Sequence, residues 1–313
     1  MGKKVIFSLI ITILLVFSGC TPNWIHSDTD KEPQQIEVKL NPSFFLVKEL
    51  ADVELTGAAS YANNFIICDA GKNCLTISSQ SGDQLRTLGA LGNGQDEFIN
   101  PTGLDTSEDH LYVLDAGNKR IKIYDSSLNC IDTIRLDVLE PTDEIYYLDI
   151  SVSDSGTCYV TTNSTFEDTS RIYRIDPSGA ITTSASQLYG YTCCDGDTAY
   201  FINEFELSST DKKQTAAFSS HYLYTMNDDG TLNKKMELPY KYGPADFIVE
   251  GNDLYVLSCA WARLDHFTLD GTYIETLFQF EDMLYPESRL ARTANGFVVT
   301  DRIGEKTYFL SNE

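Results

Sequence analysis

Leu111-Tyr112-Val113-Leu114-Asp115-Ala116-Gly117-Asn118-Lys119-Arg120-Ile121-Lys122-Ile123-Tyr124-Asp125 decides the fold, because its pattern recurs along the chain. It joins a short apolar run ending in Asp, a Gly-Asn turn and a second β-branched run, which together read as two strands of an antiparallel sheet. Runs of the first kind occur again at Phe65–Asp69, Cys158–Thr161, Ala199–Ile202, Leu254–Leu257 and Phe297–Asp301. Their second residues fall at 66, 112, 159, 200, 255 and 298, so the spacings are 46, 47, 41, 55 and 43. Most copies are followed by a second strand and a tight turn: Ser81-Gly82, Ser178-Gly179, Asp229-Gly230 and Asp270-Gly271, with Leu128-Asn129 replacing the glycine in the second copy.

A period of 40 to 50 residues carrying four strands is the mark of a propeller blade, a sheet that cannot bury both faces alone and must stack around an axis. The expected fold is therefore all-β, a six-bladed β-propeller. The sixth copy reaches only three strands before Glu313. An N-terminal strand, from Ile36 to Leu40 or from Phe44 to Leu50, is expected to complete the last blade and close the ring, removing an open sheet edge.

The 313 residues carry a net charge of −23, which argues against a nucleic-acid partner, since phosphate backbones are held by clustered Lys and Arg. Charged residues at 22% and hydrophobic ones at 42% are those of a globular domain. Residues 1–19 read as a signal peptide: Lys3 and Lys4 precede an apolar stretch from Val5 to Phe17, which as a helix would rise about 20 Å, less than a bilayer core. Ser18-Gly19-Cys20 resembles the bacterial lipobox, which implies acylation of Cys20 and membrane association through the lipid. Residues 20–35 form a polar tether, and 36–313 the propeller.

Leu88-Gly89-Ala90-Leu91-Gly92-Asn93-Gly94-Gln95-Asp96-Glu97-Phe98, followed by Asn100-Pro101-Thr102-Gly103-Leu104-Asp105 and the opening stretch, resembles the NHL repeat. With the lipobox, the whole is similar to six-bladed propeller lipoproteins of Bacteroidetes. The resemblance implies a place in the cell envelope, at the outer membrane. In this blade Gly89, Gly92 and Gly94 are expected to give the connection positive φ, Asp115 to accept hydrogen bonds from the Gly117-Asn118 turn, and Phe98 to plug between sheets.

The chemistry of hydrolysis lacks its usual parts. His26, His110, His221 and His266 form no His-Glu-x-x-His pair, and no Gly-x-Ser-x-Gly occurs. Besides Cys20 there are seven cysteines. Cys68 and Cys74 flank one hairpin and Cys193-Cys194 are adjacent, but small buried thiols are the favoured reading over disulfides. No cofactor is expected. The alternative is a calcium-dependent lactonase or related hydrolase of the gluconolactonase type, with Asp105, Asp149 and Asp246 on the inner strands as the carboxylates on offer.

Because strands alternate direction within a blade, the connections between second and third strands and those between blades share one face of the disc. That face receives the longest inserts and Tyr146, Tyr147, Phe166, Tyr189, Tyr191, Phe205, Tyr240, Tyr242, Trp261 and Tyr285. Rings amid polar residues suit carbohydrate stacking or a protein interface, which makes a binding or scaffold role for a glycan or protein partner the expected function. Asp96, Glu97, Glu140, Asp143, Glu144, Glu167 and Asp168 lie in the same loops, so the face is expected to be acidic and unfavourable to anions.

Overall fold

The computed structural model describes residues 36–312 except 108, 138, 140–144, 165–169, 187, 204–205, 208–215 and 218–220. The expected signal peptide, 1–19, and the expected tether, 20–35 with Cys20, lie outside the described residues. No α-helix occurs among the described residues; the one helical turn is a 3-10 turn at Ala116–Asn118.

Six four-stranded antiparallel sheets form a ring, as the period requires. Their innermost strands are Leu55–Tyr61, Pro101–Ser107, Ile145–Val152, Gly190–Asp195, Pro244–Glu250 and Arg289–Thr293, which define blades 1 to 6. The recurrent apolar runs are the second strands, and their unbroken hydrophobicity has a direct cause. In blade 1, Ile66 and Cys68 face blade 2 while Phe65 and Ile67 face blade 6. In blade 2, Leu111 and Val113 face blade 1 while Tyr112 and Leu114 face blade 3. A sheet buried on both sides has no polar face to alternate with.

Six buried clusters result, one at each blade-to-blade interface, and the cluster of Leu55, Phe65, Ile67, Ala291, Val298 and Phe309 joins the last blade to the first. The ring closes through the chain's own N-terminal part. Phe45–Ala51 pairs antiparallel with Lys306–Ser311 as the fourth strand of blade 6. The upstream candidate also pairs, on the neighbouring blade: Leu40 bridges Thr276 in parallel, with Asn41 N and Thr276 N each donating at 2.8 Å.

The Gly-rich connection before blade 2 folds on itself. Gly89 and Gly92 have φ of 90° and 152°, and a Cβ at Gly89 would stand 2.3 Å from the Phe98 ring. Gly94 does not take positive φ; its N–H donates to Glu97 Oε2 at 2.8 Å, so it serves as a donor and not as a left-handed hinge. Phe98 is fully buried between blades 1 and 2. At the outer hairpin of blade 2, Leu128 adopts the left-handed conformation (φ 63°) where other copies place glycine. Asp125 Oδ1 holds this turn by accepting from Ser127 N and Asn129 N. All seven described cysteines are thiols, Cys68, Cys74 and Cys158 being buried.

Candidate functional site

The innermost strands enclose a central channel of about 270 Å³, and a second cavity of about 540 Å³, the mouth, lies on the loop face, with Arg289 in the lining of both. Register fixes which side chains share a level. Opposite equivalent positions of the second strands stand Gly57, Gly103, Asp149, Tyr191, Asp246 and Arg289, one from each blade. In blades 1, 2, 3 and 5 a β-bulge falls immediately before this residue, where an extra residue re-aims the side chain. Asp105 lies one pleat further along blade 2.

Each of the three channel aspartates spans two blades. Asp105 accepts from Thr106 N and, across the interface, from Val152 N, both at 2.7 Å. Asp149 accepts from Ile150 N at 2.9 Å and Thr192 N at 3.1 Å. Asp246 accepts from Phe247 N at 2.8 Å and Leu290 N at 2.7 Å. Their carboxylates thus replace missing backbone acceptors at the inner sheet edges. Burial is the dominant influence and pushes Asp105 up to about 7 and Asp246 up to about 8, with the neighbouring Asp149 adding to both. Asp149 is also raised by burial, against the pull of Arg289.

Each oxygen of these aspartates receives one backbone N–H group and keeps a second lone pair, whereas a calcium ion takes six to eight oxygen ligands. Among the described residues no three His, Cys, Asp or Glu side chains come together as a metal-binding group.

Arg289 lies in the wall shared by channel and mouth and is 5% exposed. Its guanidinium stacks 4.2 Å over the Tyr191 ring, and Nη1 donates to Ser288 O at 3.0 Å. Its Nε is buried without a hydrogen-bond partner. Lys119, from the turn after the second strand of blade 2, and Arg302, from the corresponding turn of blade 6, line the same mouth. Neither was singled out from the sequence, although the repeat places both turns on one rim. Glu287, 4.0 Å from Arg302, is the one acidic residue among the described residues of that lining.

The aromatic candidates divide. Tyr146 is 60% exposed and lines the mouth with Tyr189. Tyr147, Tyr191 and Tyr242 are buried, a correction to their expected place on the surface, although Tyr147 still contributes to the lining of the mouth. Each hydroxyl ties one segment to another: Tyr147 to Leu136 O at 2.8 Å, Tyr191 to Pro286 O at 2.5 Å, and Tyr242 to Asp265 Oδ2 at 2.7 Å. A ring between two sheets fills volume that a smaller residue would leave empty, while its hydroxyl satisfies a loop carbonyl. Trp261 is partly buried, edge-on to Tyr242 with ring centroids 5.0 Å apart, and lies 4.3 Å beneath the Arg263 guanidinium. Tyr240 and Tyr285 are partly exposed and lie outside the mouth's lining. Phe166 and Phe205 lie outside the described residues, as do Glu140, Asp143, Glu144, Glu167 and Asp168. Among the described residues the charged lining of the mouth is mostly basic.

The site is held by the stretch from the Gly-rich connection to the second hairpin of blade 2. Asp115, fully buried, accepts from Ile99 N, Asn118 Nδ2 and Arg120 Nε, each at 2.8 Å. Arg120 then reaches the carbonyls of Asn93, Gly94 and Glu97, and buried Lys122 those of Gly94, Gln95 and Glu97. Two cations thereby pin the Gly-rich connection from beneath and set Asn100 and Lys119 at the mouth.

The chain belongs to the family described as 6-bladed beta-propeller, which matches residues 45–259. No curated protein matches the sequence significantly. Among solved structures, virginiamycin B lyase from Staphylococcus aureus is 13% identical, with 86% of this chain and 99% of that one covered at a TM-score of 0.54. A calcium-binding regucalcin from Agrobacterium tumefaciens is 14% identical, with 84% and 91% covered at 0.58. A protein from Bacteroides thetaiotaomicron is 11% identical, with 87% and 73% covered at 0.53. At these identities the likeness is one of fold.

Proposed function

We propose that the protein is a binding propeller of the cell envelope, tethered through Cys20, which takes a glycan or a glycan-bearing partner at the loop face. The observation that carries this reading is the mouth itself, a concave opening of about 540 Å³ at the axis, with Tyr146 and Tyr189 beside polar and charged groups. Its volume is that of an ordinary ligand site, and a rigid ring holds its walls. The channel aspartates support the same reading in that each serves as a backbone acceptor between blades.

The test is a glycan array and envelope-extract capture with the purified protein, repeated with Tyr146→Ala and Tyr189→Ala. Loss of the bound species in both variants, with unchanged melting temperature, is the expected result; undiminished binding overturns the assignment of the face. Added calcium is expected to leave the melting temperature where it was. A calcium-dependent upward shift would return the hydrolase of the gluconolactonase type to first place.

A further inference from the structure

We propose that the mouth receives a small organic anion, a carboxylate-bearing saccharide of one or two rings, through Lys119, Arg289 and Arg302. This rests on the binding reading above and names its ligand class. Acidic residues outnumber basic ones by 46 to 23 in the chain, yet among the described residues that line the mouth three are basic and one is acidic. A local reversal of that size is not what an acidic surface yields by default. At physiological ionic strength charges more than about 8 Å apart are largely screened, so the lining governs a small ligand once it has entered. The overall negative charge still repels polyanions.

Arg289 gives the site its chemical specificity. The guanidinium is held in a nearly dry wall by Tyr191 and a backbone carbonyl, and its Nε has no acceptor. A buried donor without a partner costs about 1–3 kcal/mol, which an incoming carboxylate relieves. The planar fork matches a carboxylate in a way that an ammonium does not. Asp149 and Asp246 lie near it in the channel and attract it, but the oxygens of both are each engaged by a backbone N–H group. Lys119 and Arg302 add charge at the rim, and the rings of Tyr146 and Tyr189 offer flat apolar surface to the C–H face of a pyranose. A phosphate would satisfy the cations equally but gives the rings nothing to stack on.

Calorimetric titration of the purified protein with D-galacturonate, digalacturonate, methyl galactoside and inorganic phosphate decides the matter. Uronates are expected to bind with Kd below about 1 mM, and the neutral galactoside at least about tenfold more weakly. Arg302→Gln and Lys119→Gln are each expected to weaken uronate binding about tenfold without moving the melting temperature. Arg289→Lys, which keeps the charge and loses the fork, should weaken it too; should that variant fail to fold, the two rim variants decide alone. Phosphate binding as tight as uronate binding, or affinity indifferent to the rim variants, overturns the proposal. So does the absence of uronate binding. Galactoside binding that matches uronate binding and disappears in Tyr146→Ala would overturn the anion assignment while leaving the binding face in place.

Discussion

Replacing Asp115 by Asn removes one negative charge from a fully buried position and changes little else in shape. The carboxylate now accepts three hydrogen bonds at 2.8 Å, two of them on Oδ2 from Asn118 and Arg120. An amide has one acceptor oxygen, so whichever way it turns, its NH₂ confronts at least one N–H donor. Arg120, 14% exposed, loses its only carboxylate partner. Removing one member of a buried ion pair typically costs about 3–5 kcal/mol. The lower end applies, because three backbone carbonyls still hold the guanidinium. Asp115→Asn is therefore expected to destabilise by about 3 kcal/mol, or about 6–12 °C in melting temperature for a domain of this size. Lys122→Met serves as the comparison. Gly94 O and Glu97 O keep their bonds from Arg120, so only Gln95 O, on an exposed residue, loses its bond, at a cost of about 0.5–1.5 kcal/mol. Equilibrium denaturation with a fitted m-value measures both. If Asp115→Asn costs less than about 1 kcal/mol with m unchanged, the network does not hold the connection as described. Because Ile99 N hangs on Asp115, the variant should also weaken ligand binding at the mouth, through Asn100.

Two further outcomes follow from the same geometry. Deleting residues up to Ala51 removes the fourth strand of blade 6 and bares the edge of Lys306–Ser311. Phe44 and Leu50, which pack on the neighbouring clusters, contribute up to about 1.5–3 kcal/mol each. The truncated protein should melt lower and self-associate on light scattering, whereas an unshifted monomer would contradict the closure. In the channel, Asp105 and Asp246 bind protons more tightly folded than unfolded, where both would titrate near 3.8. Their contribution is thus complete below about pH 4 and is lost as pH rises through about 7 to 8. Denaturation midpoints should fall across that window and fall less steeply in Asp105→Asn; midpoints that climb with pH would refute the burial of these carboxyls.

The ring was legible because its cause is local and repeated. Runs such as Leu111-Tyr112-Val113-Leu114 are apolar without alternation since neighbours cover both faces, and Phe45–Ala51 supplies the strand that the sixth copy lacks. The aromatic face was legible only in part. Tyr147, Tyr191 and Tyr242 read from sequence like Tyr146, and what separates them is whether a second sheet lies above the ring.

Repeat length and two-sided hydrophobicity, both properties of the chain taken in order, determined the number of blades, the stacking and the closure. The chemistry at the axis was decided by tertiary structure alone. Lys119, Arg289 and Arg302 come from blades 2 and 6, far apart in sequence, and meet only because the ring brings the last blade beside the first. Bulges and cross-blade hydrogen bonds, invisible to periodicity, made three channel aspartates acceptors for the inner sheet edges.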